Sequence, residues 1–91
     1  MASRPARVYR VEVAPAADRA LDALPHATRA RIVRKMEALG RDPRPRGCKK
    51  LQGDDDLYRV RAGDFRIVYA VRDALLLVLV VKIGNRRDVY R

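Results

Sequence analysis

Polar and apolar residues alternate from Arg7 to Val13, with Tyr9, Val11 and Val13 on one side and Val8, Arg10 and Glu12 on the other. That period of two predicts a strand. Pro15 ends it and suits the first turn of a helix. The period then becomes helical: Ala17, Ala20, Leu21 and Leu24 share one side of a helix over residues 16–24, which Pro25 breaks. A second helix is predicted over 27–39. Ala30, Val33, Met36, Ala38 and Leu39 form its apolar stripe, and Arg29, Arg31, Arg34, Lys35 and Glu37 its solvated side. Gly40 is the expected C-cap. The two helices make a hairpin, with His26 an exposed or capping residue in its turn.

Residues 41–47 place Pro43 and Pro45 among Arg41, Arg44 and Arg46, a stiff basic loop. Asp54, Asp55 and Asp56 then form an acidic turn. Three adjacent carboxylates do not face one point, so this reads as a solvated turn and not as a metal site. Strands are predicted over Leu57–Arg61, Asp64–Val71 and Leu75–Ile83, with turns at Ala62-Gly63 and Arg72-Asp73. A two-residue loop at Ala62-Gly63 sets Arg61 opposite Asp64, Val60 opposite Phe65 and Arg59 opposite Arg66. Tyr58, Val60, Phe65, Ile67, Tyr69 and Val71 then share an apolar face, and Arg59, Arg61, Asp64 and Arg66 share the other. The last strand hardly alternates, which predicts burial on both faces. The order β-α-α-β-β-β gives an α+β fold in a single domain over 1–91. Its helical hairpin packs on the apolar face of a curved, mainly antiparallel four-stranded sheet, and the arginine face stays open.

Charge sharpens this picture. The chain carries 21 Lys+Arg against 11 Asp+Glu, a net charge of +10 over 91 residues. Such an excess destabilises a small compact domain by self-repulsion and points to a polyphosphate partner. Codon usage that favours Arg and Ala accounts for part of the bulk charge, but not for arginines gathered on one strand face. Like charges directly opposite each other destabilise a sheet, so the arrangement makes sense with an anion on that face. Cys48 is the sole cysteine, so no internal disulfide forms and a reducing cytoplasm is the expected compartment. No apolar signal segment follows the basic first residues. The longest apolar run, 74–81, falls short of the ~20 residues that span a bilayer.

Four pieces in this order resemble the RelE/ParE superfamily of toxins from type II toxin–antitoxin modules, and most closely its RelE branch. They are Lys50-Leu51 with Gly53; the strand from Tyr58 to Arg61; Gly63 to Tyr69; and Ile83 to Tyr90. The resemblance covers Val8 to Tyr90. It implies a toxin that enters the ribosomal A site and cuts mRNA without metal or cofactor, the 2′-hydroxyl attacking the adjacent phosphate. Carried over by position, the implied catalytic residues are Arg59, Arg61, Arg66, Arg86 and Tyr90. Lys49, Lys50, Arg44, Arg46 and Arg87 are the implied RNA and ribosome contacts. The implied partners are a cognate acidic, RelB-like antitoxin, in a heterodimer or heterotetramer, and the ribosome with its mRNA; no membrane is involved.

The chemistry of these residue types fits that role. Guanidinium forks aimed at a phosphorane stabilise its charge, each such donor contributing ~2.7–4 kcal/mol. The Tyr90 ring offers a base a stacking surface worth ~1–3 kcal/mol. This chain departs from the better-known RelE toxins, which have lysine in place of Arg59 and Arg61. Arginine stays protonated. Either another group takes the 2′-hydroxyl proton, or fixed charge alone does the work. Two other readings stay open: a ParE-like DNA gyrase inhibitor, and a non-catalytic RNA-binding or decayed toxin.

Overall fold

The computed structural model describes residues 8–51, 53 and 56–85. In chain order the elements are strand β1 (Arg10–Val13), helices α1 (Pro15–Asp22) and α2 (His26–Arg41), and strands β2 (Lys49–Lys50), β3 (Leu57–Ala62) and β4 (Phe65–Arg72). A 3-10 turn (Asp73–Leu75) leads to the last strand, β5 (Leu77–Asn85). The sheet has five strands in the order β1-β5-β4-β3-β2, with β1 parallel to β5 and the other pairs antiparallel. The α+β class is as expected. The fifth strand is a correction: Lys49–Lys50 adds a two-residue edge to β3, and a strand that short has no period to detect.

Each helix starts where proline dictates. Ala14 is extended, its N–H bonds the Val80 carbonyl at 2.8 Å, and Pro15 opens α1. Pro25, also extended, precedes α2, so His26 is its first residue and exposed. The expected C-cap at Gly40 is not where α2 ends: the helix runs on to Arg41, and Asp42 leaves it. Gly40 has another task. Its carbonyl accepts the Tyr9 N–H at 2.7 Å, and a Cβ there would sit 2.9 Å from the Tyr9 oxygen and 3.2 Å from Val11 Cγ2. The glycine lets α2 lie directly against β1. The buried stripe of α2 is Ile32, Met36, Leu39 and Gly40; Ala38 is exposed, and Ile32 was missed by the expected spacing.

The core lies between the helices and one sheet face. Ile32 and Leu39 meet Ile67, Tyr69, Val78 and Val80, all essentially free of solvent. Each such aliphatic side chain contributes ~1.5–3 kcal/mol by leaving water. Tyr9, Ala17, Leu21, Met36, Val60, Ala62, Val71 and Ile83 complete the cluster.

The β3–β4 register corrects the expected pairing. The loop is Gly63-Asp64, so Ala62 pairs with Phe65, Arg61 with Arg66, Val60 with Ile67, and Arg59 with Val68. Gly63 has φ +63°, as a two-residue hairpin with glycine first requires, and Ala62 is spared that conformation. Each residue's partner shifts by two positions, which leaves the faces of the strand residues as expected, while Asp64 passes from the arginine face into the loop. β5 also corrects expectation: Val78, Val80 and Ile83 are buried, whereas Leu77, Leu79 and Val81 are half-buried and Leu75 is 67% exposed. Helices cover one face of β5 only.

Candidate functional site

The sheet face away from the helices carries two cross-strand rows. One runs Lys49–Arg59–Val68–Lys82, and the next Arg61–Arg66–Gly84. Among the described residues neither row contains a carboxylate. Arg61 and Arg66 stand directly opposite each other, Arg61 exposed and Arg66 half-buried with its Nε shielded from solvent. Lys49 faces Arg59 across the edge pair. Strand spacing of ~4.8 Å keeps neighbouring cations within reach of one bound polyanion. Opposed guanidinium forks suit a single phosphate.

Lys82 belongs to this face and was not anticipated. The β4–β5 register passes from Val68↔Lys82 to Tyr69↔Val80, which makes Val81 an extra residue in β5. Such a bulge re-aims the neighbouring side chains of its strand. One signal was present in the sequence: Lys82 is the one charged residue between Leu77 and Asn85.

The expected site residues therefore divide. Lys49, Arg59, Arg61 and Arg66 come together. Lys50 pairs with Tyr58, whose face is the opposite one. Arg44 is also on that side, where its guanidinium bonds both Asp73 carboxylate oxygens at 3.1 and 2.8 Å, donates to the Tyr58 hydroxyl at 3.0 Å and lies over the Tyr58 ring. Asp73 also accepts the Tyr9 hydroxyl at 2.6 Å. These bonds, Asp73 first and Tyr58 second, hold the Arg44 proton more tightly than usual. Tyr58 stacks on Tyr69, whose hydroxyl donates to the Pro43 carbonyl at 2.8 Å; burial, with Cys48 beside it, raises the Tyr69 phenol above its ordinary range. Arg46 is exposed in the loop before β2. Arg86, Arg87 and Tyr90 lie outside the described residues, as do Asp54 and Asp55. Asp56 pairs with Arg72 at 3.3 Å. Among the described residues no group of three His, Cys, Asp or Glu side chains is placed to hold a metal ion, and no helix is long and apolar enough to cross a membrane.

Comparison with known proteins agrees along nearly the whole chain. The sequence profile of the ParE toxin of type II toxin–antitoxin systems matches residues 11–90. The RelE1 protein of Methanocaldococcus jannaschii, a RelE-type toxin by name, is 30% identical over 86 residues, covering 91% of this chain and 96% of the relative. Among solved structures, the archaeal RelE–RelB complex of Pyrococcus horikoshii is similar with a TM-score of 0.79 and 32% identity, covering 89% of this chain and 98% of that one. The RelBE2 toxin–antitoxin complex of Mycobacterium tuberculosis follows at 0.78 and 28%, covering 89% and 94%.

Proposed function

The chain belongs to the RelE/ParE toxin superfamily of type II toxin–antitoxin modules, as a RelE-like member, and from that premise we propose that it is a metal-independent endoribonuclease that cuts mRNA in the ribosomal A site. The observation that carries this reading is the pair of acid-free cationic rows on the open sheet face, with Arg61 set against Arg66. A phosphate that enters between the two guanidinium groups meets a fork from each strand. In the reaction the 2′-oxygen attacks the adjacent phosphorus, a 2′,3′-cyclic phosphate forms, and the 5′-oxygen departs. Arg59, Arg61 and Arg66 stabilise the added charge on the phosphorane, where preorganised donors act most strongly. Arg86 supplies a further guanidinium, and Tyr90 stacks on a base and orients the nucleotide. Lys49 and Arg46 extend the cationic surface toward ribosomal RNA, with Arg87 as a flanking contact; Lys50 and Arg44, on the opposite face, are left out of this surface. Its place of action is the cytoplasm, where ribosomes are.

The partner that restrains it is an acidic, RelB-like antitoxin. RelE relatives of this fold have been solved in complex with RelB, and a +10 surface favours an acidic segment that folds on binding. Purified protein added to ribosomes programmed with a defined mRNA tests the activity. Primer extension should show cuts at A-site codons that depend on the ribosome. Intact mRNA under ribosome-saturating conditions would overturn the reading. One observation favours the second reading, gyrase inhibition: the matching profile is named for ParE. A supercoiling assay with purified gyrase separates the two, and the endonuclease reading requires it to be unaffected.

A further inference from the structure

The open face poses a chemical problem that its arginines leave unsolved. An arginine keeps its proton in proteins and so cannot take one from a ribose hydroxyl. Arg59, Arg61 and Arg66 therefore offer charge but no base. Two lysines share that face: Lys49 at the β2 edge, opposite Arg59 and two strands from Arg66, and Lys82, which the bulge at Val81 sets on the strand next to Arg66. Lys82 is exposed on that face, in the same row as Arg59 and separated from it by Val68. Two strand spacings put its backbone about 9–10 Å from that of Arg59. It is diagonal to Arg66, at about 7–8 Å, well within reach of a four-carbon stem. Gly84, which faces Arg66 from the same strand, adds no side chain to obstruct a ribose between them.

We infer that Lys82 is the general base of this site, its Nζ taking the 2′-hydroxyl proton while Arg61 and Arg66 hold the phosphate. The inference rests on the endonuclease reading above. As the neutral amine accepts the proton, the O2′–P bond forms and the P–O5′ bond breaks. The departing 5′-oxygen takes a proton from water, and the Lys82 ammonium returns its own to solvent. Nothing is oxidised or reduced.

The charged groups around Lys82 are mostly cations, gathered where the phosphate of the proposed reaction would sit. On its own face β4 contributes Arg66 and Arg72, β3 adds Arg59 and Arg61, and β2 adds Lys49 at the far end of the row. From β1 come Arg10 and Glu12, which bond each other at 2.8 Å. α1 carries Asp18, Arg19 and Asp22. α2 carries His26, Arg29, Arg31, Arg34, Lys35, Glu37 and Arg41. Both helices pack on the opposite face, through Ala17, Leu21, Ile32, Met36 and Leu39.

Lys82→Arg is the decisive variant, because it keeps the charge and removes the base. Cleavage by the full-length protein on programmed ribosomes should fall ~100-fold or more, the usual range for a general base. Lys82→Ala should fall at least as far. The parent's rate should rise with pH and level off once the base is deprotonated, and Lys82→Arg should lose the levelling. Circular dichroism and ribosome co-sedimentation of Lys82→Arg should match the parent. A Lys82→Arg protein that cuts within about threefold of the parent's rate overturns the base assignment and leaves the endonuclease reading standing. A parent that leaves mRNA intact removes the endonuclease reading and this inference with it.

Discussion

Arg44 and Arg61 are exposed arginines of one small sheet domain, and they sit in opposite kinds of surroundings. Arg44 grips Asp73 with two hydrogen bonds, adds a third to Tyr58 and lies over that ring. It ties the proline-rich loop to the end of β4 and, through Asp73, to Tyr9 beside β1. Arg61 stands opposite Arg66, in a row without a carboxylate. The first arrangement is complete within the chain. The second sets cation against cation across two strands. Where a small domain sets cations against cations on an open face and pairs a cation with an acid elsewhere, the two neighbourhoods should answer differently to substitution.

The largest effect that tests this contrast is on activity. Arg66→Ala should lower ribosome-dependent cleavage ~100-fold or more, since it removes a donor to the transition-state phosphate. It should change stability by no more than about 1 kcal/mol, because relieved repulsion against Arg61 offsets lost stem packing. Cleavage rate and denaturant midpoint read the two together; an unfolded variant would place Arg66 among the supports of the fold. Arg44→Glu should do the reverse. It sets a carboxylate against Asp73 and should cost about 1–2 kcal/mol, less than a buried pair would, as both partners are about half exposed. An Arg44→Glu protein as stable as the parent would dissolve the distinction between the two neighbourhoods.

Period and face were legible in the sequence; partners across space were less so. Alternation placed Arg59, Arg61 and Arg66 on one side correctly, because face depends only on parity within a strand. Loop position decides register, and Ala62-Gly63 and Gly63-Asp64 differ by a single residue. The positive φ of Gly63, invisible in the sequence, decides for the second. Lys82 was missed for a related reason, since a bulge breaks the parity on which strand reading depends. Gly40 looked like a helix end because glycine commonly is one. Only the packed structure shows Tyr9 occupying the space a side chain would need. The Arg44–Asp73 tie joins residues 29 apart in sequence, and no local pattern announces it.

Tyr69 gives a smaller test on the completed side. Burial raises its phenol, so the unfolded chain, with an ordinary value near ~10, releases the proton first as pH rises. This contribution to stability is whole below pH ~10 and is lost as the pH climbs from there through the folded value. Tyr69→Phe should be weaker by about 1 kcal/mol at neutral pH, where the Pro43 carbonyl loses its donor. The variant should then lose less stability than the parent in strong alkali. Urea melts of both proteins at neutral and alkaline pH measure the difference between them, and parallel losses would mean that Tyr69 does not carry the alkaline sensitivity.

The smallest effect is also the most discriminating, because it should carry the unusual sign. Arg61→Glu places a carboxylate directly opposite Arg66 on an exposed position of β3. A cross-strand pair of opposite charge replaces one of like charge, which should stabilise the domain by ~0.2–1 kcal/mol. The same carboxylate repels the phosphate and competes for Arg66, so cleavage should fall even as the fold strengthens. The identical change at Arg44 weakens the protein, so one substitution type at two arginines yields opposite signs. Denaturant midpoints at an unchanged slope report that sign directly. If Arg61→Glu is instead destabilised, Arg61 and Arg66 are already reconciled within the chain, and the open face loses its claim to be waiting for a phosphate.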